Sequence, residues 1–71
     1  MEIFILKTNV LSLEMKEAIT PALDGIPEIK KWSIDYQDCD GVLRASVAGL
    51  CQEELIGVIR QLGYQCEELN N

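Results

Sequence analysis

The stretch Ile29-Lys30-Lys31-Trp32-Ser33-Ile34-Asp35-Tyr36-Gln37-Asp38-Cys39-Asp40-Gly41-Val42-Leu43-Arg44-Ala45-Ser46-Val47-Ala48 decides the fold. Its first half alternates, with Trp32, Ile34 and Tyr36 on one side and Lys31, Ser33 and Asp35 on the other, the two-residue period of a half-buried strand. Asp38-Cys39-Asp40-Gly41 supplies turn residues. Alternation then resumes over Val42 to Ala48 with Leu43, Ala45 and Val47 on one face, so the stretch predicts a β-hairpin.

On either side of the hairpin the period changes. Upstream, Leu11, Met15, Ala18, Ile19, Ala22 and Leu23 recur at three- and four-residue intervals, with Glu14, Lys16 and Glu17 opposite them. This is one stripe of an amphipathic helix. Ser12 or Asn9 can cap its start, and Asp24-Gly25 is placed to end it, with the glycine free to take the left-handed conformation. Pro21 falls past the first turn, where it removes a hydrogen bond, so a kink or distorted last turn is expected there. Downstream, Leu55, Val58, Ile59 and Leu62 form a second stripe, with Glu53 and Glu54 in the first turn, where the helix dipole favours acids. Gly63 ends that helix, and Tyr64 to Leu69 reads as a short last strand. At the other end, Ile3 to Leu6 is an apolar run suited to a strand inside a sheet.

The order is therefore βαββαβ. Both helices find cover if they pack on one face of a four-stranded antiparallel sheet, so the expected class is α+β, a ferredoxin-like sandwich forming a single domain over residues 1–71. The other sheet face is then left to solvent.

Composition narrows function. Twelve Asp and Glu against six Lys and Arg give a net charge of −6, which argues against nucleic acid, whose phosphates demand clustered cations. The same acidity argues against an anionic membrane surface, and no segment approaches the length of a membrane span. With no histidine there is no catalytic imidazole and no imidazole metal ligand. No glycine-rich phosphate loop occurs, and the Glu53-Glu54 and Glu67-Glu68 pairs read as solvated charges, so no enzyme is expected. The three cysteines, at intervals of twelve and fifteen residues, match no zinc ribbon or redox pair. Together with an amino-terminal start that lacks a signal-peptide pattern, they point to a reducing, cytoplasmic setting.

The chain resembles the heavy-metal-associated (HMA) domain family, the copper-chaperone type of βαββαβ module, over nearly its whole length. The resemblance rests on Lys7-Thr8-Asn9-Val10, Ile19-Thr20-Pro21-Ala22-Leu23, Ile26-Pro27-Glu28-Ile29, Trp32-Ser33-Ile34-Asp35, Val42-Leu43 and Gly63-Tyr64, in that order and spacing. It implies metal transport through a C-x-x-C pair placed between the first strand and the first helix. Counted back from Ile26-Pro27, that pair falls on Ser12 and Met15, and the sequence reads Ser12-Leu13-Glu14-Met15 there. Both thiolates, the ligands a soft ion such as Cu(I) requires, are missing. The expected function is thus that of a degenerate HMA domain, a non-catalytic interaction or regulatory module with no resident cofactor. The alternative is a carrier of Cu(I) or another soft metal with an altered or intermolecular site using Met15 or Cys39.

Met15 reads as core, on the stripe with Leu11 and Ile19, with a thioether ligand as the alternative; Ser12 reads as a helix cap. Cys39 stands in the hairpin turn, at the end of the sheet that also carries the strand-one loop and Gly63-Tyr64. Cys51 opens the second helix and reads as a makeshift cap or a partly buried small residue, with a reactive thiol as the alternative, since a helix N-terminus lowers a thiol pKa. Cys66 alternates with Tyr64 and is expected to face the core. On the open sheet face, Ile3 and Ile5 point outward, with Val42 and Ala48 of the neighbouring strand expected beside them. Grouped apolar residues on an open face suggest a protein partner or self-association; the alternative is that these β-branched residues simply serve strand propensity.

Overall fold

The computed structural model describes residues 1–69; Asn70 and Asn71, included in the expected domain, lie outside the described residues. The elements are β1 (Glu2–Thr8), α1 (Leu13–Asp24), β2 (Ile29–Asp35), β3 (Val42–Val47), α2 (Gln52–Gln61) and β4 (Cys66–Glu68). The sheet has four strands in the order β2-β3-β1-β4, each antiparallel to its neighbours. The class is α+β, with a four-stranded antiparallel sheet and two helices. The last strand is shorter than the Tyr64–Leu69 expected, although the Leu69 amide still donates to the Ile5 carbonyl at 3.2 Å.

Burial alternates along β1 as its composition requires. Phe4, Leu6 and Thr8 turn inward, and Ile3, Ile5 and Lys7 turn outward. The inward side of the sheet and both helices share one core of Phe4, Leu6, Leu43, Ala45 and Val47 with Ile19, Leu23, Leu55 and Ile59. Each large aliphatic side chain buried there contributes about 1.5–3 kcal/mol relative to exposure. Pairing of β1 with β3 and of β2 with β3 carries the sheet, while α1 packs on β2 and α2 on β4. Edge strand β2 has an irregularity between Ile29 and Lys31 and carries Lys30 and Lys31, features that discourage edge-to-edge pairing.

Ser12 caps α1: its backbone is extended (φ −147°) and its Oγ accepts the Met15 N–H at 3.2 Å. The helix runs on through Pro21 to Asp24. Glu17 and Pro21 are both exposed, so the Glu17 carbonyl that loses its helical donor at the proline lies on the solvent side, where water can satisfy it. Gly25 closes the helix with φ −80°, not in the left-handed conformation expected of it. Gly63, after α2, does take positive φ (98°).

One tie binds the β1–α1 loop to the β2–β3 hairpin. The buried Thr8 hydroxyl donates to the Gly41 carbonyl at 2.6 Å and accepts the Val10 N–H at 3.1 Å, and the Thr8 amide donates to the Asp40 carbonyl at 3.0 Å. Gly41 is left-handed (φ +47°), and a Cβ there would lie 2.6 Å from the Thr8 carbonyl oxygen and 2.9 Å from that of Val10. The loop and the hairpin turn thus meet at backbone contact distance, which only glycine permits.

Candidate functional site

At the end of the molecule where β1 stops, the residues expected to matter for metal are all present, in different roles. Ser12 is occupied as a cap. Met15 is 38% exposed and not part of the core, which corrects the expectation drawn from its place on the apolar stripe. The first turn of α1 lies where the structure offers its stripe little cover: only Ile19 and Leu23, further along, are fully enclosed, and Leu11 and Ala18 are exposed as well. The Met15 Sδ receives the Leu11 N–H at 3.5 Å, a weak bond that folds the thioether back on its own loop.

Cys39 is exposed in the hairpin turn, and its ligand atom lies within 4.8 Å of those of Asp38 and Asp40. Asp38 is engaged as a turn former, its Oδ1 accepting the Asp40 N–H at 2.9 Å, and Asp40 pairs with Lys7 at 3.6 Å. The Asn9 side chain accepts the Gln65 N–H at 2.8 Å, so the start of β4 joins the same end, as the topology led us to expect. One thiol beside two exposed carboxylates mixes a soft donor with hard ones and does not reproduce the paired thiolates that soft ions select.

The remaining cysteines lie elsewhere. Cys51 occupies the cap position of α2 without a capping hydrogen bond from its side chain. Its pKa is raised, chiefly by the charge of Glu54 and a hydrogen bond to it, with Glu53 and Glu2 adding to the effect. Neither reading of Cys51 is met: it is exposed and makes no capping hydrogen bond, and the neighbouring carboxylates push its thiol up where a helix N-terminus was expected to lower it. Cys66 faces the core as expected, and burial pushes its thiol up to about 11, against some relief from Arg60.

The outer sheet face has a different character. Ile3 is 71% exposed and Ile5 41%; both lie on β1 beside β3, while β4 pairs only with Leu6, Lys7 and Thr8 and stops short of them. The register places Ser46 directly opposite Ile3 and Arg44 opposite Ile5; Lys31 and Ser33 follow across β3, paired with Ser46 and Arg44. The expected companions sit further off. Val42 is at the far end of β3, paired with Asp35, and Ala48 lies beyond the last residue of that strand. A shallow, mostly apolar groove runs over Ile3, Lys31, Ser33, Arg44 and Ser46. Trp32 and Ala45 line it as well. Sequence reasoning missed Lys31 and Arg44 because identifying them requires the strand register, and the hairpin turn alone does not fix it.

No family model matches the chain, and among curated proteins and solved structures there is likewise no match. No helix among the described residues is long and apolar enough to cross a membrane.

Proposed function

We propose that the protein is a non-catalytic docking module on a ferredoxin-like βαββαβ scaffold, a degenerate relative of HMA domains that has exchanged metal capture for protein contact. The observation that carries this reading is the exposure of Ile3 and Ile5 on the open face of β1, where a β-branched polar side chain such as threonine would serve the strand as well. Isoleucine at 71% exposure does little for the fold, because apolar stabilisation scales with area removed from water. A partner that covers these side chains supplies the missing burial. Support from the other end of the molecule is chemical: Ser12 is committed to capping α1, and Met15 offers a neutral thioether in place of a thiolate. Cytoplasmic residence fits the unpaired cysteines.

The alternative, Cu(I) carriage through Met15 or Cys39, is decided by a competition titration against a chromophoric Cu(I) chelator. Wild type is expected to leave the chelator loaded, and Ser12→Cys/Met15→Cys to withdraw one equivalent of metal. Tight stoichiometric binding by wild type would overturn the proposal.

A further inference from the structure

We infer that β2 is a self-pairing edge: two copies of this chain join their β2 strands antiparallel about Ser33, so that their sheets become one. This edge is separate from the outer face that carries Ile3 and Ile5. The sheet ends in two edge strands, β2 and β4, and the chain treats them differently. At β4, the Asn9 N–H donates to the Gln65 carbonyl and the Leu69 N–H to the Ile5 carbonyl, so Gln65, Glu67 and Leu69 turn their backbone groups towards β1. Cys66 therefore turns its groups outward, and its carbonyl is taken by the Arg60 Nε at 3.1 Å. At β2, the Ala48 N–H donates to the Glu28 carbonyl at 2.9 Å, so Ser46, Arg44 and Val42 likewise face β2 and are met by Lys31, Ser33 and Asp35. Trp32 and Ile34, which alternate with these, turn their N–H and C=O groups to the open edge, where they have no backbone partner among the described residues. A row of free donors and acceptors is a template for another strand.

The residues along this edge fit the same residues read in reverse. Pairing about Ser33 sets Trp32 opposite Ile34 of the second copy and Ile34 opposite its Trp32, and each such pair exchanges both N–H···O bonds. Lys31 then falls opposite Asp35 of the second copy, and Asp35 opposite its Lys31, at the positions where cross-strand side chains come closest. The one ion pair among the described residues is Lys7–Asp40, so Lys31 has no carboxylate partner in its own chain. Asp35 shares a groove with Arg44 and Asp38 without an ion pair, and its Oδ1 accepts the Gln37 N–H at 3.2 Å, which leaves Oδ2 for a lysine. Moving the centre by one residue, to Trp32 or Ile34, sets Lys31 against Ser33 or Gln37 and loses both charge pairs. Lys30, Lys31 and the irregularity between Ile29 and Lys31 thus discourage every register but this one, and Lys31 to Asp35 pair regularly with β3. The contact is two-fold and closed. It consumes the β2 edges and leaves at either end a three-residue β4 with its Cys66 carbonyl covered, so association stops at the dimer. Two short strands bury little beside a standard interface of ~800 Å² per partner, so the dimer is weak.

Sedimentation velocity over ~10 μM to ~1 mM spans the range of weak self-association. Wild type is expected to pass from the 8.0 kDa chain to twice that mass and no further. Over the same range, amide hydrogen exchange at Trp32 and Ile34 is expected to slow. Lys31→Asp and Asp35→Lys each set like charges opposite one another at both pairs and are expected to stay monomeric; both positions are exposed, so circular dichroism stays that of wild type. Mixed, the two variants restore opposite charges at both pairs and form a 1:1 dimer, and Lys31→Asp/Asp35→Lys dimerises by itself. Ile3→Glu, on the outer face, dimerises as wild type does. A wild type that stays monomeric throughout overturns the inference and leaves the docking role of the outer face standing. Association by Lys31→Asp equal to that of wild type also overturns it. So does a mixture that stays monomeric while wild type associates, or a dimer in which exchange at Trp32 and Ile34 is unchanged. Loss of association in Ile3→Glu assigns the contact to the outer face and overturns it as well.

Discussion

Removing the Thr8 hydroxyl tests whether the tie between the β1–α1 loop and the hairpin holds the two together. Thr8→Val keeps the shape of a 5%-exposed side chain but deletes the group that donates to the Gly41 carbonyl at 2.6 Å and accepts the Val10 N–H at 3.1 Å. Both backbone groups are then enclosed without partners, and each orphaned polar group costs about 1–3 kcal/mol. The expected loss is therefore ~2–6 kcal/mol, a large part of the ~4–11 kcal/mol available to a chain of this size. For a domain of 60–100 residues each kcal/mol moves the melting temperature by about 4–8 °C, so even the lower bound lowers it by roughly 8–16 °C. Thr8→Ser is the control: it keeps both hydrogen bonds and loses one buried methyl group, about 1 kcal/mol. The assay is urea unfolding followed through the fluorescence of the single tryptophan, comparing midpoints at constant slope. The expected order of stability is wild type, Thr8→Ser, Thr8→Val. If Thr8→Val matches wild type within ~0.5 kcal/mol, or exceeds Thr8→Ser, the site is ordinary packing and the hydroxyl does not hold the loop.

Three further outcomes are expected. Gly41→Ala combines left-handed strain of about 1–2 kcal/mol with a Cβ less than 3 Å from two backbone carbonyl oxygens, so it lowers stability in the same urea assay by more than ~2 kcal/mol. The fold holds Cys66 protonated up to about 11 against an ordinary value of 9.0, so its contribution is complete below pH 9 and is lost as pH rises towards 11; Cys66→Ala flattens that alkaline decline relative to wild type in denaturation midpoints taken from pH 8 to 11. Glu54→Gln removes the foremost cause of the raised Cys51 pKa and so accelerates alkylation of Cys51 at pH 8, read by peptide mass spectrometry, while Cys66 stays unlabelled until denaturant is added.

How far the sequence revealed these features depends on what each one requires. Alternation in β1 was legible because a strand inside a sheet has only two sides, so Phe4 and Leu6 inward leaves Ile3 and Ile5 outward. Leu11 and Met15 were not legible. They obey the helical period, but a period states only which residues share a side, and the enclosure of that side depends on how far the neighbouring elements reach. The raised pKa of Cys51 was within reach of the sequence, because its foremost cause, Glu54, stands three residues on and Glu53 two; only the last and smallest cause, Glu2 at the far end of the chain, requires the fold. The residues flanking Ile3 and Ile5 depend on the β1–β3 register, which connects segments some forty residues apart. These cases differ in kind from Val42 and Ala48, where the side of the strand was read correctly and the position along it was not. Ile3 makes the same point as Leu11 and Met15 from the other side of the sheet: it stays wet because β4 pairs only with Leu6, Lys7 and Thr8 and stops short of it, a reach that no local pattern in the chain reports.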